Sequence, residues 1–196
     1  MIVTDAYWVQ TQFNAQPAMF VHTRGGTFVR ENDAYACTVQ FDSQDAKAVG
    51  SEARVTLRQE EGTLEVVLED GTIERWERID TGEAPLAGVW RISGREVDGA
   101  FVDMPLRARR TLKVLSGTRF QWIAMNIQTG EFSGTGGGTY TFQDGKYVET
   151  IEFFSRDNSR VGAVLSFDAR LDGGQWHHRG RSSKGDPIYE IWSPLN

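Results

Sequence analysis

The sequence predicts an all-β protein built as two antiparallel up-and-down β-barrels in tandem, of which the first lacks its opening strand. Three observations predict this class. Short segments rich in β-branched and aromatic residues follow one another, clusters of Gly, Asn and Asp separate them, and one pattern of residues occurs twice in the 196-residue chain. Short connections between sequential strands favour a meander that closes on itself.

The repeated pattern relates residues 1–57 to residues 113–169 through a constant offset of 112 without a gap. Only two copies occur and the period exceeds 100 residues, so the pattern predicts a doubled domain and not a solenoid of short units. The identical pairs include Asn14 and Asn126, Phe20 and Phe132, Gly25 and Gly137, Gly26 and Gly138, Phe41 and Phe153, and, after a four-residue insertion, Glu74 and Glu190, and Trp76 and Trp192.

The first copy, residues 1–80, contains five strand-like segments in order. Strands are predicted at residues 7–13, 27–30, 35–41, 54–58 and 63–68, where β-branched and aromatic residues are dense. The alternation lapses at residues 43–48, where a single short helical turn is expected, and again at the equivalent residues 155–160. The acidic, Pro-containing segment 80–85 reads as the linker to the second copy.

The second copy, residues 86–196, opens with about 25 residues that have no counterpart before Met1. The first copy is therefore expected to lack a strand, and its open edge calls for a cover, which could be the other domain, a second chain in a homodimer, or residues outside the given sequence. Further along, Tyr147, Glu149, Ile151 and Phe153 alternate with the residues between them, which predicts one inward and one outward face. The glycine-rich run 134–139 predicts a strand bend or bulge, because neither a Gly-Lys-Ser/Thr ending nor a helical pattern follows it.

Composition excludes several classes of function. The net charge of −6 and the absence of a basic stripe argue against a nucleic-acid partner. Cys37 is the single cysteine, so an intrachain disulfide and a cysteine-rich metal site are excluded, and no zinc spacing is present. No apolar run approaches the roughly 20 residues of a membrane span, and no signal peptide opens the chain.

The segment Gly88-Val89-Trp90 at the start of a β-meander resembles the lipocalin-like domains of the calycin superfamily. The segments 137–142, 147–153 and 190–192 are similar to uncharacterised bacterial secreted domains of this kind. The resemblance covers the later copy and, through the repeat, most of the earlier one. It implies a barrel whose lumen binds small, mostly apolar molecules, and export to the periplasm or the medium.

The candidate ligand-binding residues lie on predicted strands of the later copy. Its lumen is expected to bind a small, partly apolar molecule without catalysis, between aromatic side chains and a few polar groups that orient it. The aromatic candidates are Phe120, Trp122, Phe153 and Tyr189, and the polar candidates are Glu149, Arg119 and His178. Glu149 shares a predicted face with apolar residues, so its carboxylate needs a partner, for which Arg119 is the candidate.

Besides ligand binding, two kinds of function stay open: chemistry at a histidine in the lumen, and a structural role. His177 and His178 are adjacent on a strand and point to opposite faces, so one of them is expected in the lumen, with either phase allowed. An imidazole there could act with Glu149 as acid and base on a small substrate, or bind haem iron as in similar haem-binding calycins, so the cofactor is unknown. The third possibility is a structural domain that dimerises through the incomplete first copy.

Overall fold

The N-terminal half of the chain is an open, seven-stranded antiparallel sheet. The computed structural model describes residues 1–182 and 185–195, and within them the only helical elements are two three-residue 3₁₀ turns. Each strand of this sheet pairs with the next one along the chain. The strands are β1 (Ile2–Val3), β2 (Tyr7–Ala15), β3 (Ala18–Glu31), β4 (Ala34–Asp42), β5 (Glu52–Glu60), β6 (Thr63–Leu68) and β7 (Ile73–Glu77).

The C-terminal half is a closed antiparallel barrel of eight strands within the described residues. Sequential pairing runs from β10 to β16, and β8 pairs with both β16 and β10, which closes the ring. The short β9 extends from β8 as a hairpin outside this ring. The strands are β8 (Gly88–Val97), β9 (Ala100–Asp103), β10 (Arg109–Leu115), β11 (Arg119–Asn126), β12 (Phe132–Gln143), β13 (Lys146–Phe154), β14 (Val164–Asp172), β15 (Gln175–Arg181) and β16 (Pro187–Pro194).

The prediction of a barrel is confirmed for the C-terminal half and is wrong for the N-terminal half. The closing strand β8 carries the Gly88-Val89-Trp90 segment, and the first copy has no counterpart of it in this sequence. In the described residues, β1 and β7 do not pair with each other, so the N-terminal sheet stays open. A sheet without its closing strand keeps two unpaired edges, which is the physical reason for the difference.

Local features of the two halves recur at the 112-residue offset. The two predicted helical turns are 3₁₀ turns at Ala46–Ala48 and Asn158–Arg160, each capped by an aspartate, Asp45 or Asp157. Register shifts also recur. The register of strand pairing shifts between Gly25 and Gly26, where β3 pairs with β4, and between Gly137 and Gly138, where β12 pairs with β13. The second shift agrees with the bulge expected in the glycine-rich run.

The outer face of the barrel packs against the N-terminal sheet in a continuous apolar core. Seven buried side chains form this core: Tyr7, Val9 and Phe41 from the sheet, and Leu112, Val114, Ile123 and Met125 from β10 and β11. Each is at most 2% exposed. At roughly 25 cal/mol per Å² of buried apolar surface, a core of this size stabilises the contact by several kcal/mol. The two sheets therefore form one packed unit.

Ring contacts across this core are reciprocal. The ring centroids of Phe41 in the sheet and Phe132 in the barrel are 6.5 Å apart, and those of Phe20 and Phe153 are 6.4 Å apart. Both pairs are stacked. In the repeat, Phe41 corresponds to Phe153 and Phe132 corresponds to Phe20, so the two pairs are equivalent. Contacts in which residue i meets residue j and j meets i are characteristic of a two-fold interface. The halves are thus arranged much as two subunits of a symmetric dimer would be.

A buried amide joins the two halves at the centre of this interface. Gln121 of β11 donates from Nε2 to Thr23 Oγ1 and to Thr135 Oγ1, at 3.0 Å in both cases. Its Oε1 accepts a hydrogen bond of 2.6 Å from Thr11. Thr23 and Thr135 are equivalent positions of the two halves. Because Gln121 is 2% exposed, these bonds satisfy a polar group that would otherwise destabilise the core.

Candidate functional site

Four of the predicted site residues, Phe120, Trp122, Glu149 and His178, lie on the inner face of the barrel. Phe120 and Trp122 belong to the lumen core or pack against it. Glu149 and His178 are 4% and 2% exposed and are surrounded by residues of the same core. The structure therefore brings these four predicted residues to one interior.

Lys113 is the partner of Glu149. Lys113 Nζ donates a 2.7 Å hydrogen bond to Glu149 Oε1, and both side chains are almost completely buried. The expected partner, Arg119, pairs with Glu152 at 2.5 Å instead. The pairing with Arg119 was wrong because Arg119 lies at the start of β11, whereas Lys113 of β10 points into the lumen between the aromatic rings.

Aromatic rings surround the Lys113 ammonium group. Its Nζ lies 4.9 Å from the ring centroid of Tyr147, 5.0 Å from Trp176 and 5.3 Å from Trp192. Cation–π contacts of this kind are worth about 2 kcal/mol or more when the cation is desolvated. These contacts and the Glu149 carboxylate together offset the cost of burying the Lys113 charge. The ion pair is therefore a stable component of the lumen.

His178 is the inward histidine, together with Trp176. Its ring lies 4.0 Å from that of Phe167, and its Nδ1 is 3.4 Å from Glu190 Oε2 without good hydrogen-bond geometry. Burial and the Lys113 charge lower the pKa of His178, so the imidazole is neutral near pH 7. Burial alone would raise the pKa of Glu190, but His178 and Lys113 outweigh it and hold that pKa below its usual value.

Tyr189 and Phe153 lie outside the lumen, contrary to expectation. Tyr189 faces outward, where its hydroxyl is 3.1 Å from Nδ1 of the outward His177 and its ring is 4.7 Å from Phe101. Phe153 contacts Phe13 of the N-terminal sheet at 4.9 Å. The slip in pairing at 137/138 reverses the alternation of β13 near its end and turns Phe153 outward.

Side chains fill the lumen of the barrel. Leu115, Tyr147 and Trp176 are 0% exposed, and Trp90 closes one end by donating from Nε1 to the Leu86 carbonyl at 2.9 Å. Among the described residues, Tyr147 Oη, Trp176 Nε1 and both ring nitrogens of His178 are buried without a hydrogen-bond partner. Each such atom costs about 1–3 kcal/mol. The lumen is thus densely packed yet polar.

A hollow lies instead on the concave face of the N-terminal sheet. This hollow, here called the cup, has a volume of about 150 Å³. Its wall is mostly aliphatic and aromatic. The residues that line it include Trp8, Gln10, Arg24, Cys37, Val55, Leu64, Val66 and Glu74.

A polar group of three side chains sits at one side of the cup. Arg24 Nε donates to Gln10 Oε1 at 2.9 Å, and Gln10 Nε2 donates to Glu74 Oε2 at 3.4 Å. The Arg24 guanidinium lies 3.6 Å from Glu74 and over the ring of Trp8. The group is half-buried and retains hydrogen-bonding capacity toward the cup. It can therefore orient the polar end of a small molecule.

Smaller side chains explain why the cup is open where the lumen is full. Leu64 and Val66 stand at the positions of Trp176 and His178, and Val55 stands at the position of Phe167. Cys37 replaces Glu149, and burial raises the pKa of its thiol, which favours the uncharged form. These replacements remove both the bulk and the ion pair that occupy the barrel interior.

Sequence reasoning missed the cup, although a signal was present. The repeat pairs the luminal Trp176, His178 and Phe167 of the second copy with the smaller Leu64, Val66 and Val55 of the first, and this difference in volume indicates a hollow. Arg24, at the position of Gly136 in the repeat, is the second signal, since it adds a charged side chain that the second copy lacks at this place.

Comparison with protein-family models gave no match, and comparison with curated proteins gave none either. In the part of the chain that the structure describes, no three His, Cys, Asp or Glu side chains are grouped so as to hold a metal ion. None of the described helical segments has the length and apolarity needed to cross a membrane. The site is therefore judged on its own geometry.

Proposed function

We propose that this protein binds a small, partly apolar molecule without changing it chemically, and that the cup of the N-terminal sheet is the binding site. One observation carries this proposal: the cup is an apolar hollow of about 150 Å³ with the Arg24, Gln10 and Glu74 side chains converging at one side. Few, convergent polar groups in an apolar wall are the usual pattern of a small-molecule site.

The size of the cup favours a ligand with a single ring. An engineered apolar cavity of about 150 Å³ in another protein accepts benzene. A ring of that size with one hydrogen-bonding substituent would contact Leu64 and Val66 with its apolar part and place its polar atom near Glu74 or Arg24. The proposed ligand class is therefore a monocyclic molecule with one polar group.

Binding in the cup is favoured over the two functions considered for the barrel. A ligand in the barrel lumen would have to displace buried side chains such as Tyr147 and Trp176, which are 0% exposed. An acid and base pair of His178 and Glu149 would meet the same obstacle, and Glu149 is already bound to Lys113 at 2.7 Å. The cup needs no such rearrangement.

Titration with p-cresol tests the proposal. NMR shift changes should map to the methyl groups of Val55, Leu64 and Val66, with a Kd on the order of 0.1 to 1 mM for so small a ligand. Leu64→Trp places in the cup the residue type that fills the equivalent position of the lumen, and binding should weaken at least tenfold.

The matched control is Val29→Trp, which adds the same ring at a 60% exposed position of the same sheet and should leave binding unchanged. Equal binding by Leu64→Trp and the wild type, or shift changes confined to the barrel, would contradict the proposal. So would a failure of p-cresol and its one-ring analogues to bind up to 10 mM, roughly the weakest affinity that such a pocket supports.

We also propose that the two halves arose by duplication of one lipocalin-like domain. The recurring 3₁₀ turns, the register slips at equivalent positions and the eight-stranded meander barrel support this proposal. The position of Gly88 and Trp90 in the closing strand supports it too. Export to the periplasm or the medium belongs to the same proposal, and cell fractionation of the native host would test it.

A further inference from the structure

Two unpaired sheet edges face each other across a groove in the N-terminal half. The groove has a volume of about 310 Å³, and both Ile2 and Val3 of β1 and Trp76 and Glu77 of β7 line it. In the described residues, β1 pairs only with β2 and β7 only with β6, so the outer edge of each strand offers free backbone N–H and C=O groups. Such an edge is a template for another strand.

We propose that this groove accepts one extended, net-positive peptide segment, which pairs antiparallel with both β1 and β7. Recognition by strand addition uses backbone hydrogen bonds for affinity and alternate side chains for specificity. The inference concerns a macromolecular partner at the sheet edges and not the small molecule of the cup, although Val3 and Leu64 border both hollows.

The barrel shows how a single strand fills the equivalent space. There β8 lies between β10 and β16 and pairs antiparallel with each of them. Ile2 and Val3 of β1 stand at the repeat positions of Val114 and Leu115 in β10. The β7 residues 74–77 stand at the positions of residues 190–193 in β16, with the offset increased by the four-residue insertion. The groove therefore has the same two borders as the place that β8 occupies.

The register of β8 also defines where charges would meet. In the barrel, Arg91 lies opposite Ser193 and Arg95 lies opposite Glu190. In the first copy the residues at these two positions are Glu77, which lines the groove, and Glu74, which borders the cup and contacts Arg24 there. A bound strand with arginines at the same spacing would therefore place a cation directly opposite each carboxylate, and opposite charges in directly facing positions stabilise strand pairing.

The charge of the whole half favours the same partner. Residues 1–85 contain 7 Lys and Arg against 15 Asp and Glu, a balance of −8. The charged residues of the groove itself, Glu77 and Asp80 with Arg78 and Arg119, balance one another. The preference for a basic segment over an acidic one therefore comes from the acidic field of the surrounding half. A second copy of this chain is a poorer occupant, because its own β8 is already paired on both sides within its barrel.

A peptide with the sequence of residues 87–95 (Ala-Gly-Val-Trp-Arg-Ile-Ser-Gly-Arg) provides the probe. Added to the whole protein, it should bind, and hydrogen exchange should slow at the amides of β1 and β7 while the amides of β10 and β16 stay unchanged. A matched peptide with both arginines replaced by glutamate should bind at least tenfold more weakly. On the Glu77→Lys protein, the difference between the two peptides should shrink.

Three results would overturn the proposal. The first is no binding of the arginine peptide up to 1 mM. The second is slower exchange in β10 or β16, which would mean that the peptide replaces β8 in the barrel. The third is a dimer in sedimentation that protects β1 and β7 without any peptide, since a second copy would then occupy the groove. Because the readout is exchange at β1 and β7, these results are distinct from p-cresol binding in the cup.

Discussion

The lumen of the barrel has an ion pair where a protein core usually has only apolar side chains. Lys113 and Glu149 are bonded at 2.7 Å, and aromatic rings enclose the ammonium group. Removing one partner of such a pair leaves an uncompensated charge in a medium that solvates it poorly, whereas replacing both by apolar groups removes the problem. Stability should therefore depend on the pair as a unit.

Replacing Glu149 by Gln should lower the free energy of unfolding by about 3–5 kcal/mol, because Lys113 then loses its counter-charge. The double variant Lys113→Met, Glu149→Leu should lose clearly less than the single variant. Lys146→Met is the matched control. It breaks an ion pair whose two side chains are 59% and 68% exposed, and it should cost at most about 1 kcal/mol. Urea unfolding measures all three, and a cost for Glu149→Gln no larger than that for Lys146→Met would contradict the interpretation.

We expect His178 to make the free energy of unfolding depend on pH. The pKa of its imidazole is lowered in the folded state, whereas the unfolded chain has an ordinary value of about 6.5. Below that pH the unfolded state binds the additional proton first, so the free energy of unfolding falls as the pH drops from 7 toward 5. The slope from this group is at most about 1.4 kcal/mol per pH unit.

His178→Gln should flatten this part of the stability curve, as measured by denaturant unfolding at several pH values. His177→Gln is the comparison, since His177 lies on the outer face near Tyr189. An unchanged pH profile in His178→Gln would show that another group causes the dependence.

At the scale of the element, one glycine determines which face each end residue of β13 presents. Gly138 lies at the slip in pairing between β12 and β13, where the two backbones come unusually close. A Cβ atom added there would lie 2.0 Å from the Thr150 carbonyl oxygen. Beyond the slip, Phe154 packs toward the lumen and Phe153 toward the N-terminal sheet. The glycine thus permits the contact between the two halves.

Gly138→Ala should destabilise the protein by about 1–3 kcal/mol or more, because backbone atoms have to shift to admit the methyl group. Gly94→Ala is the matched control in another strand of the same barrel. Its added Cβ would meet nothing closer than 3.5 Å, so the loss should stay within about 1 kcal/mol. Thermal unfolding compares the two variants, and equal losses would mean that the close approach at Gly138 is unimportant.

At the scale of the molecule, the two halves share a core and a buried hydrogen-bond group. The apolar core between them includes Tyr7 and Phe41 on one side and Ile123 and Met125 on the other. Gln121 bonds to threonines of both halves. If one half unfolded, the core residues of the other half would also become exposed to water. Such coupling produces cooperative unfolding.

We expect a single unfolding transition in which both halves are lost together. Tryptophan probes check it in the unchanged sequence: with 5-fluorotryptophan incorporated, the ¹⁹F signal of Trp8 reports on the sheet and that of Trp122 on the barrel. The midpoints of the two signals in urea should coincide within error. Two separated midpoints, or a calorimetric enthalpy well above the van't Hoff value, would show that the halves unfold independently.

The sequence was sufficient for the β class, the positions of the 3₁₀ turns and the bulge in the glycine run, because these depend on local residue types. The repeat also shows that the first copy has no counterpart of β8 in this sequence, which agrees with the open N-terminal sheet. The sequence was insufficient for the partner of Glu149 and for the side of Phe153. Both depend on register, and a slip of one residue reverses every side chain beyond it.

The reciprocal pairs of Phe41 with Phe132 and Phe20 with Phe153 have an evolutionary consequence. On the proposed duplication, the ancestral chain had one copy of this apolar face, and two identical chains would have dimerised through it. Fusing two such chains releases them from being identical. One copy could then keep a packed interior that stabilises the fold. The other copy could lose side-chain volume and form a binding cavity.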